Sequence, residues 1–147
     1  MRLLEVRGLI SRYGDFQALH GIDFDLGEGE TVAVIGSNGA GKSTFLQTLV
    51  GLQAVAGGSV EFNGLKLNGI SAHRIIGLGL ALVPEGRRLF PSLSVEENLL
   101  IGAYAKRVGA WNLKRIYELF PILEERRNSP GTMLSGGQQQ MVAIGRP

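Results

Sequence analysis

One stretch constrains this chain more than any other: Val32-Ala33-Val34-Ile35-Gly36-Ser37-Asn38-Gly39-Ala40-Gly41-Lys42-Ser43-Thr44-Phe45-Leu46. A short apolar run enters a glycine-rich turn, and Lys-Ser-Thr then opens a segment that reads as helix. Strand, turn and helix in that order, with Gly36, Gly41, Lys42 and Ser43 at G-x-x-x-x-G-K-[ST] spacing, describe a phosphate-binding loop. The residue types follow from the chemistry. Backbone N–H groups must turn inward around phosphate oxygens, which leaves no room for a Cβ and favours Gly36, Gly39 and Gly41. The following helix adds its unpaired amides and the positive end of its dipole. Lys42 supplies charge to the β- and γ-phosphates, and the Ser43 hydroxyl suits Mg²⁺, a hard cation that prefers oxygen. A glycine turn with an incidental lysine accounts for less, because both flanks meet the required context. Gly36, Ser37, Asn38, Gly39, Ala40, Gly41, Lys42, Ser43 and Thr44 are therefore assigned to a nucleotide site.

Composition narrows the classes around that site. At 147 residues and 44% hydrophobic content, the chain has material for one ordinary domain. A net charge of +2 with 19% charged residues is no electrostatic footprint for nucleic acid. The absence of cysteine excludes disulfides and thiol-ligated metals. The longest apolar stretch, Ile75 to Val83, is interrupted by Gly77 and Gly79 and falls far short of a membrane span. Charges near the start, at Arg2, Glu5 and Arg7, stand where a signal peptide needs an apolar run. A membrane role is expected only through a partner.

Along the chain, Leu4 to Ser11 reads as a strand, and Ile22, Phe24 and Leu26 alternate with Asp23 and Asp25 as on a strand with one wet face. Thr31 to Ile35 is predicted as a core strand buried on both faces. A helix is expected over Lys42 to Val50, with Phe45, Leu46 and Leu49 inward and Gly51 as its stop. Val60 and Phe62, Asn63-Gly64, then Leu65 and Leu67 describe a hairpin. Ser71 to Leu78 is a weak helix candidate, and Leu80 to Val83 a second buried strand. Ser94 and Glu97 form a capping box for a helix bearing Val95, Leu99 and Leu100. Another helix starts at Asn112, with Leu113, Ile116, Tyr117 and Phe120 on one face, and Glu124 to Asn128 reads as a solvated helix end. His20 and His73 are read as structural or surface residues rather than catalytic ones, since neither stands in a metal-ligand spacing pattern with a carboxylate or a second His.

Leu134-Ser135-Gly136-Gly137-Gln138 then opens a further helix, again with Ser and Gln in capping-box register. Paired glycines in a first turn cost helix stability, and they make sense where a phosphate must approach the backbone. Leu134 to Gln138 resembles the signature motif of ABC transporter ATP-binding subunits, downstream of a Walker A loop and separated from it by a helical insert. The resemblance covers essentially the whole chain. It implies an α/β P-loop NTPase fold with an antiparallel β layer, a partial parallel core sheet and a helical subdomain. Residues 1–84 would hold the β layer and P-loop core, 85–133 the helical subdomain and 134–147 the start of the signature helix.

The family pattern also implies head-to-tail pairing with a second ATP-binding subunit, identical or different. Ser135, Gly136, Gly137 and Gln138 would then act in trans on an ATP held by the partner's Walker A loop. Tyr13 is similar to the aromatic residue that stacks on adenine. Glu85, within Val83-Pro84-Glu85-Gly86-Arg87-Arg88-Leu89-Phe90-Pro91, stands where the family carries a loop glutamine. As a carboxylate it can ligate Mg²⁺, and, because the family's loop couples to transmembrane permease subunits, it serves coupling more than chemistry. The same segment looks most like subunits of branched-chain amino acid (Leu/Ile/Val) importers, with urea and amide importers as near competitors. Such subunits sit peripherally on the cytoplasmic face of the membrane.

A strand ending in Asp-Glu, which the family uses for Mg²⁺ and for the attacking water, is not found in the sequence, nor is a later switch histidine. The catalytic set is therefore incomplete, and the C-terminal part of the core is expected to be missing. ATP binding without turnover and marginal stability are the expectations, with ATPase activity belonging to an intact parent. A soluble non-transport ABC protein and a non-catalytic binding fragment are the alternatives. A GTPase or small-molecule kinase has no place for the signature helix.

Overall fold

The computed structural model describes residues 2–105 and 109–146. Met1 and Pro147, which close the predicted layout at either end, lie outside the described residues. The chain divides into two compact units, Met1–Leu80 and Ala81–Pro147.

The first unit is built on a four-stranded antiparallel sheet of order β2-β1-β3-β4. Strand β1 is Arg2–Tyr13, β2 is Phe16–Gly27, β3 is Gly57–Phe62 and β4 is Leu65–Lys66. The register sets Val6 opposite both Phe24 and Val60, and Leu4 opposite both Leu26 and Phe62. The period of two thus gathers one apolar face, while Glu5, Arg7 and Asp25 share the wet one. There Arg7 lies 2.7 Å from Asp25 and 3.1 Å from Glu5, exposed pairs of the kind that add little stability. The predicted Asn63-Gly64 turn joins β3 to β4, with φ of 51° and 74°.

Helix α1, Lys42–Leu49, lies on the apolar face. Phe45 and Leu49 enter the core with Leu4, Val6, Leu9, Val60 and Phe62, and the Phe24 ring meets Phe45 edge-on at 5.5 Å. Leu46, predicted inward, is instead exposed, and Thr48 takes the third place in the stripe. The i, i+3, i+4 set is Phe45, Thr48 and Leu49, and the Thr48 hydroxyl is satisfied by the Thr44 carbonyl at 2.7 Å. The helix ends as predicted at Gly51. The Gly51 N–H reaches Thr48 O and the Leu52 N–H reaches Gln47 O, the two bonds of a Schellman close. Gly51 has φ +73°, and a Cβ there would lie 2.8 Å from Ile75 Cδ1. Ile75 is the buried residue of helix α2, Ala72–Leu78, so this glycine also seats α2.

The partial parallel core sheet is the expectation that fails. Thr31 to Ile35 and Leu80 to Val83 form no strands. Ile35 is 91% exposed, and Val32 and Val34 are about half exposed. A buried parallel strand needs hydrogen-bonded neighbours at its edges and cover on both faces. Among the described residues no strand pairs with either segment, so the apolar composition has nothing to bury against.

The second unit is helical: α3 Val95–Leu100, α4 Leu113–Leu119, α5 Pro121–Glu125 and α6 Gly136–Gly145, with 3₁₀ turns at Ile101–Ala105 and Gly131–Met133. Val95, Leu99, Tyr117, Leu123, Leu134 and Val142 form its core. Leu100, predicted with them, is half exposed. The Ser94–Glu97 capping box is complete, with the Glu97 N–H bonding Ser94 Oγ and the Ser94 N–H bonding Glu97 Oε2. Buried Tyr117 donates to Glu96 Oε2 at 2.8 Å; burial and that bond push its phenol well above the ordinary tyrosine range.

Candidate nucleotide-binding site

In the first unit the phosphate loop runs from Gly36 into the first turn of α1. Gly41 is the helix N-cap at φ +90°, and no side chain caps this helix end. A Cβ on Gly41 would lie 3.0 Å from Leu19 Cδ2 and 3.1 Å from Ala18 O, so both its conformation and the close approach of β2 require glycine. Gly39 also has positive φ, while Gly36 does not; a Cβ on Gly36 would crowd Ala40 and Lys42 instead. The Ala40 N–H bonds the Ser37 carbonyl and closes the loop around Asn38 and Gly39.

The Lys42 ammonium curls back over this loop, donating to Gly36 O and Ser37 O at 2.7 Å each. Those bonds use two of its three donors. The charge is thus held against the loop carbonyls, next to a helix N-terminus whose first amides have no intrahelical partner. Ser43 is exposed and Thr44 half-buried in that first turn. Ser43 offers one hard oxygen ligand, which matches the habit of Mg²⁺ of taking one or two protein oxygens beside phosphate and water. Among the described residues no group of three or more Asp, Glu, His or Cys could hold a metal by itself.

Tyr13 belongs to the same locality. It ends β1, and its hydroxyl donates to Gln47 Oε1 at 3.3 Å and lies 3.4 Å from Thr44 Oγ1. The ring is about half exposed. Tethered at its tip to α1 with a face in solvent, it can stack on a planar group.

In the second unit, Glu85 is exposed in a turn that precedes Arg87. The signature turn keeps its predicted geometry: the Gln138 N–H bonds Ser135 Oγ at 3.3 Å and the Ser135 N–H bonds Gln138 Oε1 at 2.9 Å. The two glycines differ. A Cβ on Gly137 would meet nothing within 4 Å, whereas one on Gly136 would press on the Arg87 guanidinium. Arg87 also donates to Gln139 Oε1 at 3.0 Å. This arginine was legible only as part of the Val83 to Pro91 segment, because its partners lie some fifty positions away and no spacing rule links them. Gln139 does carry a weak signal, falling one helical turn after Ser135.

A family model described as ABC transporter matches residues 19–147. The high-affinity branched-chain amino acid transport ATP-binding protein BraG of Pseudomonas aeruginosa is 45% identical over 91% of this chain and 58% of its own length. The sn-glycerol-3-phosphate import ATP-binding protein UgpC 1 of Rhizobium johnstonii is 35% identical over 99% of this chain and 40% of its own. The chain thus spans about half the length of these curated relatives. Among solved structures, the dimeric post-hydrolysis state of the ATP-binding cassette MJ0796, bound to ADP and Pi, superposes with a TM-score of 0.81 at 26% identity. That alignment covers 98% of this chain and 68% of the other.

Proposed function

Because the chain belongs to the ABC transporter family, we propose that it is the nucleotide-binding part of a subunit that energises import of branched-chain amino acids. In this reading Gly36 to Thr44 cradle the ATP phosphates, Lys42 neutralises β/γ charge, and Tyr13 stacks on the adenine. Bound Mg²⁺ would offset phosphate charge, with Ser43, and Glu85 from the loop segment, as its protein oxygens. Ser135, Gly136, Gly137 and Gln138 act in trans on a nucleotide held by a second copy or a related subunit. Residues 1–84, 85–133 and 134–147 serve as β layer with P-loop core, helical subdomain and start of the signature helix. Permease subunits provide the peripheral attachment to the cytoplasmic face of the membrane.

The observation that carries the proposal is the uncapped N-terminus of α1 with the Lys42 ammonium held 2.7 Å from two loop carbonyls. The solute rests on the Val83 to Pro91 segment and the 45% identity to BraG. The relative UgpC 1, which serves sn-glycerol-3-phosphate import, favours a second reading with another solute. A chimera tests both: this chain replaces the corresponding segment of BraG in cells lacking that protein. Labelled leucine uptake that returns, and is lost with Lys42→Ala, supports the proposal. A chimera that is produced and binds ATP but restores no leucine uptake overturns the solute assignment.

A further inference from the structure

Arg87 stands in left-handed backbone within the second unit. It sits at φ +64°, at the centre of a three-residue turn closed by the Arg88 N–H on the Gly86 carbonyl at 2.6 Å, and Arg88 follows at φ +46°. Left-handed backbone is rare for side chains of this size, and γ-turns of this hand are strained. Strain of that kind persists only where the surroundings over-determine it.

The turn is held from both ends of α6: Arg146, just after the helix, donates to Arg88 O at 2.8 Å, and Arg87 meets the helix start. Arg87 Nη1 donates to Gln139 Oε1 at 3.0 Å, and a Cβ built on Gly136 would stand 3.3 Å from Nη2. A side chain at position 136 would require the guanidinium to shift by a few tenths of an ångström. Gln139 passes the constraint on: its Nε2 donates to Gly131 O at 3.3 Å and Leu134 O at 3.2 Å, just before the Ser135 cap. The far end of the loop is fixed independently by buried Asn98, which accepts the Phe90 N–H at 2.8 Å and donates to Phe90 O at 3.1 Å.

We propose that Arg87 is a positioning residue for the Ser135–Gln138 turn, acting through Gln139. The inference rests on the reading of α6 as the element that meets a second copy's nucleotide. Arg87 itself touches no nucleotide in this scheme. Without the guanidinium the Gln139 oxygen loses its charged donor, and the hold of Gln139 on the carbonyls before Ser135 is loosened.

Two variants of the full 147-residue chain test this. Arg87→Gly removes the guanidinium and gives the left-handed position the residue that tolerates it best, so folding is favoured. Gln139→Met removes the acceptor, together with the Nε2 bonds to Gly131 O and Leu134 O, at similar length. The probe is Mg-ATP, with self-association followed by sedimentation velocity and single-chain nucleotide affinity by calorimetry; Ser135→Arg serves as the block on α6 contact. Expected are ATP-driven association abolished by Ser135→Arg, and weakened about tenfold by each of Arg87→Gly and Gln139→Met, as for loss of one charge-assisted bond. The double variant is no weaker than the stronger single, and single-chain ATP affinity stays constant. Association of Arg87→Gly at the wild-type level, additive losses, or an equal loss of single-chain affinity overturns the inference while leaving the α6 reading in place. Absence of ATP-driven association, or indifference to Ser135→Arg, overturns the α6 reading and the inference together.

Discussion

The hydroxyl of Tyr13, at the end of the first strand, donates to Gln47 Oε1 on the phosphate-loop helix across 3.3 Å. With the 3.4 Å approach to Thr44 Oγ1, that contact ties the end of β1 to the helix that presents Lys42, in addition to the packing of Phe45 and Leu49, and it leaves the ring about half exposed. Tyr13→Ala is expected to weaken ATP binding by about tenfold, the scale of one base stacked on an aromatic ring. Tripolyphosphate binding should stay within about twofold, since its contacts lie on the loop and α1 and no stacking is lost. Tyr13→Phe keeps the ring and should keep most of the ATP affinity. Calorimetric titration of the three proteins with both ligands checks this; equal losses for ATP and tripolyphosphate would assign Tyr13 a purely structural role.

Asn98 is fully buried and makes four bonds, with the Phe90 N–H and with the carbonyls of Phe90, Leu93 and Ser94. Replacing it with Leu keeps the volume and strands those backbone groups. The expected cost is about 3 kcal/mol, from at least one fully desolvated group left unpaired. Urea denaturation followed at a probe in the second unit measures it. A loss below about 1 kcal/mol would mean that water or a shift of the loop replaces the amide.

The α3 capping box carries a pH signature. The Ser94 backbone N–H, then the Ser94 side chain, hold the Glu97 carboxyl below its ordinary 4.5. A folded value depressed below the unfolded one means the stabilisation is complete above 4.5 and is lost as pH falls through the folded value. Glu97→Gln keeps the cap as a neutral acceptor and should flatten this acid limb. Amide hydrogen exchange at residues 94–98 between pH 6 and pH 3, corrected for intrinsic rates, is the check. Identical acid dependence in both proteins would exclude the carboxylate as its source.

How much could be read ahead of the structure depended on the range of the interactions involved. Local rules carried far: the Ser94 and Ser135 capping boxes, the Asn63-Gly64 turn and the Gly51 stop all formed as spacing required. Each depends on residues within about five positions, where sequence and geometry are tied by the chain itself. Strand prediction from apolar runs failed at Thr31 to Ile35 and Leu80 to Val83, because an apolar run becomes a strand only when a neighbour pairs with it. In the candidate site the loop glycines and Lys42 were legible from spacing. Tyr13 and Glu85 could be placed only by resemblance to a family. The Arg87–Gln139 contact, 52 positions apart, and the Asn98–Phe90 contact, 8 apart, were invisible, since neither follows a helical or strand period.

If the Gly36 to Thr44 loop holds the phosphates of ATP, Lys42→Ala must weaken that hold. The variant removes an ammonium that bonds Gly36 O and Ser37 O but touches no part of the hydrophobic core. Equilibrium titration with Mg-ATP, alongside adenosine, should show ATP bound far better than adenosine by the wild-type chain. Lys42→Ala should lose at least about tenfold in ATP affinity, as expected for one charge-assisted contact, with an unchanged melting profile. ATP binding equal in both proteins, or no preference for ATP over adenosine, would contradict the account.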